Sequence, residues 1–408
     1  MRANPLPYLL LFLLVFVLLI GYAASAFVGL LQSFGLSWSS YGRAVWLVFH
    51  LALIVGIFSG VGAVRSGKRS SLLMNLSANS LLALLVAEFV LALCLIPQDV
   101  WRLGLWAIGD FGALPQRSSM GVQFSFALAA LPLLAFAYGT TRGKYRYTVK
   151  RVVLTFPDLP TAFDGFTLTQ ISDVHAGSFT HAPSVQKGIE RINALKSDLF
   201  VFTGDLVNNV AEEFRPWISS FSRIQASYGQ YSIFGNHDYG DYTRWPDATA
   251  KAANLSRLAD YHAQTGFRLL RDQYVELEKG GEKIYLLGIE NWGEGFSQYG
   301  DFEKTLQGVP ADGFKILLSH DPTHFEAQVK RHTKKVHLTL SGHTHGMQFG
   351  IELFGFKWSP VQYRYKRWAG LYQENDRYLY VNRGFGFLGF SGRVGIWPEI
   401  TQITLRKA

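Results

Sequence analysis

The sequence predicts a bundle of four transmembrane helices followed by a water-soluble α/β domain with mixed sheets. Three observations predict it. Charge is partitioned along the chain: residues 1–141 hold 7 Lys+Arg and 3 Asp+Glu, whereas residues 142–408 hold 32 and 27. The first stretch contains four apolar runs of membrane-spanning length. The second alternates short β-rich runs with helical periodicity. The 408-residue chain is 49% hydrophobic and 17% charged, which excludes a disordered or low-complexity chain. Its net charge of +9 is spread over both parts, too diffusely to argue for a nucleic-acid partner. Cys94 is the only cysteine, so an intrachain disulfide and a cysteine-based zinc site are excluded.

The predicted spans cover residues 8–31, 44–64, 80–97 and 122–141, each near the roughly 20 apolar residues a helix needs to cross the hydrocarbon core. In the first, Ala24-Ser25-Ala26 resembles a signal-peptide cleavage site. The length of that run and the spans after it favour a retained helix. Cleavage would leave the second span starting on the same side. His50 in the second span reads as a packing residue. Glu88 in the third is an intramembrane acid, a functional hypothesis by default. Its preferred reading is a protonated side chain bonded to a neighbouring helix. Pro132 kinks the fourth span. Trp101, Trp106 and Phe111 read as an interfacial anchor in the loop after span three.

Basic residues set the orientation. Arg65, Lys68 and Arg69 lie between spans two and three without an acid. Arg142, Lys144, Arg146, Lys150 and Arg151 follow span four, again without an acid before Asp158. The opposite loops hold Arg43 alone, and Arg102 and Arg117 offset by Asp99 and Asp110. The positive-inside rule puts both termini and the large domain in the cytoplasm. Residues 1–141 read as the membrane domain, 142–150 as a basic linker and 151–408 as the large water-soluble domain.

Within the soluble part, residues 166–172 read as a strand. Residues 182–196 read as a helix with Val185, Ile189, Ile192 and Leu195 on one face. A strand over 198–203, a helix over 213–226, a strand over 230–234 and a helix over 248–264 follow. Residues 274–278 and 283–289 form a hairpin around Gly280-Gly281. Residues 314–319, 336–340, 377–381 and 400–405 complete the strands.

Five of these strands run directly into polar residues of metal-ligand type: Asp173-Val174-His175, Gly204-Asp205, Gly235-Asn236-His237-Asp238, His320 and Gly342-His343-Thr344-His345. Ligands bind beyond the carboxyl ends of strands in open α/β sheets, so neighbouring strands would bring all five clusters to one crevice. Residues i and i+2 on extended backbone point the same way, which aims Asp173 with His175, and His343 with His345, at one site each. Mixed imidazole and carboxylate donors suit Mn, Fe, Zn or Co better than Mg or Ca. Two such ions can clamp both sides of a phosphoryl displacement.

In that order, the five clusters resemble the calcineurin-like metallophosphoesterases over about residues 150–408. Tyr380 through Gly384, Pro398 through Ile400 and Gly346 through Gln348 resemble the membrane-associated bacterial phosphodiesterase branch. The resemblance implies two mixed β-sheets packed face to face and flanked by helices. It implies a first divalent or trivalent transition metal on Asp173, His175 and His345, a second on Asn236, His320 and His343, and Asp205 bridging them. It further implies that His237 contacts the phosphate and protonates or stabilises the leaving oxygen, oriented by Asp238, while a metal-bound hydroxide attacks. Members often carry a second Asp three residues after the bridging one; here Asn208 stands there. Met347 replaces a commoner glycine and is expected to narrow the pocket. A bacterial cytoplasmic-membrane, multi-pass protein follows as the expected localisation.

Arg383 and Arg393, in glycine-rich segments, are candidate contacts for a second phosphate or an anionic headgroup. Residues 349–372 interleave aromatics (Phe354, Phe356, Trp358, Tyr363, Tyr365, Trp368) with Lys357, Arg364, Lys366 and Arg367, a pattern suited to an anionic bilayer surface and to a lipid-linked phosphate. His181, His262, His324, His332 and His337 read as structural. The expected activity is hydrolysis of a phosphate mono- or diester or a pyrophosphate. A non-catalytic membrane scaffold or sensor, and more weakly a transporter, are the competing classes.

Overall fold

The computed structural model describes residues 6–65, 71–109 and 113–408. Lys68, Arg69, Asp110 and Phe111, on which the orientation and anchor readings partly rest, lie outside the described residues. The chain divides into two compact units, with the main break between Tyr138 and Gly139.

Among the described residues, four apolar helices are long enough to cross a membrane: α1 (Leu6–Ser33), α2 (Gly42–Arg65), α3 (Leu72–Ile108) and α4 (Ser119–Thr141). Ser71 caps α3, its side chain accepting from Met74 N at 3.1 Å. At about 1.5 Å rise per residue, the 37 residues of α3 outrun the hydrocarbon core. Trp101 and Trp106 therefore sit on helix rather than in the loop predicted for them. Small residues (Ala23, Ala26, Ala87, Ala129) join Leu91, Leu95 and Val122 at the bundle centre, letting the backbones approach. Glu88 is buried there. It accepts from Trp46 Nε1 at 2.9 Å and lies 3.1 Å from His50 Nε2. The acid thus meets α2, and His50 is its partner rather than a bystander. Nearer the helix ends, Asp99 gathers Arg102 at 2.5 Å, Arg117 at 2.6 Å and Tyr22 at 2.6 Å.

The second unit holds two six-stranded mixed sheets. One has the order β1-β14-β2-β3-β4-β5, from Thr148–Phe156, Glu399–Lys407, Thr167–Ile171, Leu199–Phe202, Gln230–Ser232 and Phe267–Leu269. The other has the order β12-β13-β9-β8-β7-β6, from Gly370–Glu374, Arg377–Val381, Leu338–Ser341, Lys315–Leu318, Glu282–Gly288 and Gln273–Lys279. A small antiparallel ribbon pairs β10 (Ile351–Leu353) with β11 (Phe356–Trp358). Strand alternation builds the layers. Leu199 and Val201 of β3 pack with Ile316, Leu318, Leu338 and Leu340 of the opposite sheet. Phe200 and Phe202 join a separate core with Val185, Ile189 and Ile192 of α5 (Ala182–Ala194). Leu287, Leu317 and Leu379 belong to a third core on the far side.

Residues 142–150, predicted as a linker, are ordered. Gly143–Tyr145 forms a 3-10 turn and β1 begins at Thr148, because it pairs in parallel with β14 from Thr148↔Glu399 onward. The helix predicted over 213–226 is broken into two 3-10 turns and α6 (Ile218–Phe221); Pro216 supplies no N–H to a continuous ladder. The helix over 248–264 is present as α7 (Ala248–Gln264), capped by Asp247.

Candidate metal centre

Five parallel strand ends position the polar clusters. In one sheet β2, β3 and β4 are parallel neighbours, and in the other β8 and β9 are. The loops beyond them are knitted together: Asp173 N donates to Gly204 O at 2.9 Å, His175 N to Asp205 O at 3.1 Å, and Gly342 N to His320 O at 2.9 Å. Asp173, His175, Asp205, His343 and His345 all have φ between 46° and 70°. Left-handed backbone costs a non-glycine residue about 1–3 kcal/mol, and such strain concentrates at functional sites. Gly342 leaves room for this packing, since a Cβ there would overlap Ser172 Oγ and Asp173 Oδ2.

The side chains form two groups of metal-ligand type, Asp173–His175–His345 and Asp205–His320–His343. In the first, His345 Nε2 is 3.0 Å from His175 Nε2 and 3.2 Å from Asp173 Oδ1. In the second, Asp205 Oδ2 is 3.1 Å from His320 Nε2, and His343 Nδ1 is 3.3 Å from His320 Nε2 and 2.8 Å from Asn236 Oδ1. Asp205 Oδ2 also lies 3.5 Å from His175 Nε2, so one carboxylate oxygen reaches both groups. The structure therefore brings together all seven residues that the sequence singles out. It does so by a different route from the extended i, i+2 geometry: His343 and His345 go to different groups, because left-handed turns separate their directions.

A family model described as "Calcineurin-like phosphoesterase" matches residues 166–347, and one described as "Probable Calcineurin-like phosphoesterase, transmembrane domain" matches residues 4–144. Over 252 residues the chain is 34% identical to the uncharacterized metallophosphoesterase YkuE of Bacillus subtilis (strain 168), covering 61% of this chain and 82% of that protein. The chain belongs to the calcineurin-like metallophosphoesterases. It is also 29% identical over 294 residues to the transmembrane protein with metallophosphoesterase domain of Danio rerio, covering 70% of this chain and 63% of the fish protein's length.

The donor set fits the divalent metals this family uses. Asp173, His175, Asp205 and His320 are fully or almost fully buried, a setting in which a bound cation would offset the cost of burying the carboxylates. Burial holds His175 down to about 3 and His343 to about 4, which keeps their imidazoles neutral, as metal ligation requires. His345 is lowered by burial, then by His175 and by Arg393. Burial favours a neutral Asp205, yet His320 and His237 overcome it and hold Asp205 well below the usual carboxylate range. Burial raises Asp173, and the Asp205 charge adds to the effect. Hydrogen bonds fix which nitrogen faces inward. His320 Nδ1 bonds Thr203 O at 2.7 Å, leaving Nε2 for the site. His343 Nε2 meets Tyr365 Oη at 2.8 Å, leaving Nδ1. Tyr242 Oη accepts from Asn236 Nδ2 at 2.9 Å, which turns Asn236 Oδ1 to His343.

Three sequence readings need correction. Asp238 does not orient His237: it is fully buried and accepts from the backbone N–H groups of Asp205, Leu206 and Gly235 at 2.8–2.9 Å. His237 is oriented by Asn208 instead, whose carbonyl oxygen lies 2.7 Å from Nδ1. A main-chain group does this, so the Asp-to-Asn difference at 208 leaves the contact intact. Arg383 and Arg393 are buried with their own partners. Arg383 pairs with Glu399 and with Glu352, and Arg393 donates to the carbonyls of Gly386 and Arg383. Both guanidinium groups are engaged within the protein, and Arg393 Nη2 lies 3.3 Å from His345 Nδ1. Met347 is exposed and does not fill the crevice. Tyr242, Tyr365 and the Thr203 and Asn208 carbonyls were not legible, because a lone tyrosine or a main-chain oxygen leaves no motif.

Proposed function

We propose that the chain is a membrane-anchored phosphoesterase with a dinuclear centre, hydrolysing a phosphate mono- or diester or a pyrophosphate, with a lipid-linked phosphate among the candidate substrates. The observation that carries this is Asp205 Oδ2 within 3.1 Å of His320 Nε2 and 3.5 Å of His175 Nε2, one oxygen between two sets of donors. Asp173, His175 and His345 would hold one transition-metal ion, and Asn236, His320 and His343 the other, with Asp205 shared. Mn, Fe, Zn or Co suits these donors. Bound metals would supply a Lewis acid and an activated water.

The protein's own groups do the rest. Since a carbonyl only accepts, His237 Nδ1 donates its N–H to Asn208 O; as general acid the ring would act as the imidazolium and give the second proton, on Nε2, to the leaving oxygen. His237 N donates to Asp205 Oδ1 at 2.9 Å, which ties the acid's position to the shared carboxylate. Asp238 accepts from four loop N–H groups, those of Asp205, Leu206, Val207 and Gly235, which holds the neighbouring ligand positions. We further place the protein in a bacterial cytoplasmic membrane with the catalytic unit on the cytoplasmic side, on the strength of the basic residues after α4.

The test is turnover by the purified full chain in lipid nanodiscs with Mn, Fe, Zn or Mg. Substrates are aryl phosphate mono- and diesters, nucleotides and lipid-linked pyrophosphates. Metal-dependent hydrolysis of at least one class is expected. Stoichiometric metal binding without turnover of any class would sink the enzymatic reading and leave a scaffold or sensor.

A further inference from the structure

The ribbon that follows the last histidine pair is amphipathic in the wrong sense for a soluble protein. Its register pairs Ile351 with Trp358, Glu352 with Lys357, and Leu353 with Phe356. Directly opposed residues share a face. The polar pair is the one turned to the protein: Glu352 meets Arg383 at 3.1 Å and Lys150 at 3.0 Å, while Lys357 bonds Ala369 O and lies over the rings of Trp368 and Tyr372. The apolar pairs face out. Ile351, Leu353 and Phe356 are 52%, 57% and 60% exposed. Phe354, at the turn, is 98% exposed and has φ +49°, an uncommon conformation for a bulky residue. Single exposed apolar side chains are ordinary, but a contiguous set marks a contact surface.

Its place in the unit says what covers it. Gly350 N donates to Val394 O at 2.9 Å, Val394 N to Gln348 O at 2.8 Å, and Arg393 N to Gly139 O at 3.1 Å. Gly139 opens the catalytic unit and lies in the last turn of α4. Two consecutive residues, Arg393 and Val394, therefore join the end of a membrane-spanning helix to the base of the ribbon. Downstream, Arg364 and Lys366 are exposed and form no ion pair among the described residues. Aromatic tips with nearby basic side chains match the interface of a bilayer containing anionic lipids.

We propose that the ribbon Ile351–Trp358 dips into the bilayer interface beside the end of α4, seating Leu353, Phe354 and Phe356 among the lipids. It thereby deepens the lipid-phosphate part of the function proposed above, and it rests on α1–α4 spanning the bilayer rather than on catalysis.

The test uses the full chain in nanodiscs of phosphatidylethanolamine and phosphatidylglycerol. Cys94, the only cysteine, is changed to Ala, and a nitroxide is attached after Phe354→Cys or, separately, Leu353→Cys. Collisions with oxygen, which partitions into lipid, are compared with those of a water-soluble nickel chelate. A label after Asn375→Cys, in the exposed turn between β12 and β13, is the reference. The expected oxygen-to-nickel ratio is several-fold higher at 354 and 353 than at 375. Equal ratios would overturn the proposal. So would dipolar coupling between 354 labels on two copies, because the patch would then be covered by a second chain. Neither readout needs turnover, so a failure here is separable from failure of the phosphoesterase reading.

Discussion

Side-chain chemistry at the centre was legible where a residue type is irreplaceable. Asp, Asn and His are the donors such a site requires, and Asp173, His175, Asp205, Asn236, His320, His343 and His345 stand directly after apolar strands. Their backbone was not legible, because nothing in the letters announces that His343 and His345 adopt left-handed φ and part company. Nor did the letters place Asp238, which the structure bonds to loop N–H groups rather than to His237. His237→Ala removes a half-buried ring whose Nδ1 bonds only a carbonyl. Hydrolysis is expected to slow by about a hundredfold or more if that ring is the acid, with metal content by elemental analysis unchanged. Asp238→Ala leaves the buried N–H groups of Asp205, Leu206 and Gly235 without their acceptor, a loss of about 3 kcal/mol or more at the usual cost per unsatisfied group. It should show as a lowered unfolding midpoint. An unchanged midpoint would return Asp238 to a purely catalytic role. His262 supplies a pH test away from the centre. Its ring lies among Phe202, Phe234 and Phe267, with only Ser232 Oγ bonded, at 2.8 Å. Burial depresses it to about 3, below its unfolded value near 6.5. Between those values the unfolded chain binds the proton and the folded one does not. Stability is therefore full above about pH 6.5 and falls as pH drops, by about 1.4 kcal/mol per unit from this group. In His262→Phe the acid limb of stability against pH should be shallower by one proton.

At the scale of elements, periodicity gave the four spans, α5, α7 and the Gly280-Gly281 hairpin, since each has a strong apolar pattern or an unmistakable turn. It missed β1, whose Lys150 and Arg151 read as linker charge, because a strand at the edge of a sheet owes its pairing to the distant β14. It also missed the three-residue strands β5, β10 and β11, which are too short to show a period and are held by their neighbours. The membrane helices carry a test of their own. Glu88 on α3 bonds Trp46 and meets His50 on α2, two residues whose connection to it no local pattern reveals. Glu88→Leu would remove the acceptor of the half-buried Trp46 N–H, whereas Glu88→Gln retains an oxygen for it. Polar contacts between membrane helices are worth about 0.6–2 kcal/mol. The Leu variant should therefore lower the thermal midpoint of the detergent-solubilised chain and the Gln variant should restore most of it. Equal loss in both would mean that the negative charge, rather than the hydrogen bond, holds α2 to α3.

Across the whole molecule, the chain joins an apolar bundle with few charges to an α/β unit whose two sheets each contribute donors to one crevice. β2, β3 and β4 supply Asp173, His175, Asp205 and Asn236, while β8 and β9 supply His320, His343 and His345. A cation bound across that crevice binds the folded state and not the separated strands, so it stabilises by mass action, about 2.7 kcal/mol at a hundred times its dissociation constant. Without it, burial disfavours ionisation of Asp173, and the Asp205 charge adds to that against the opposing pull of His320. Left-handed backbone at five ligands adds strain that the bound metal would offset. Chelation should therefore do more than stop turnover. For a unit of this size, about 1 kcal/mol shifts the midpoint by about 2–4 °C, so removing metal at saturating occupancy should lower the melting temperature of the catalytic unit by roughly 5–10 °C. Scanning calorimetry of the full chain before chelation, after it, and after adding back Mn, Fe, Zn or Co would follow this. The restoring metal should be the one that also restores activity. If elemental analysis shows the metal gone and the transition has not moved, the seven side chains do not act as a cation site that ties the two sheets together.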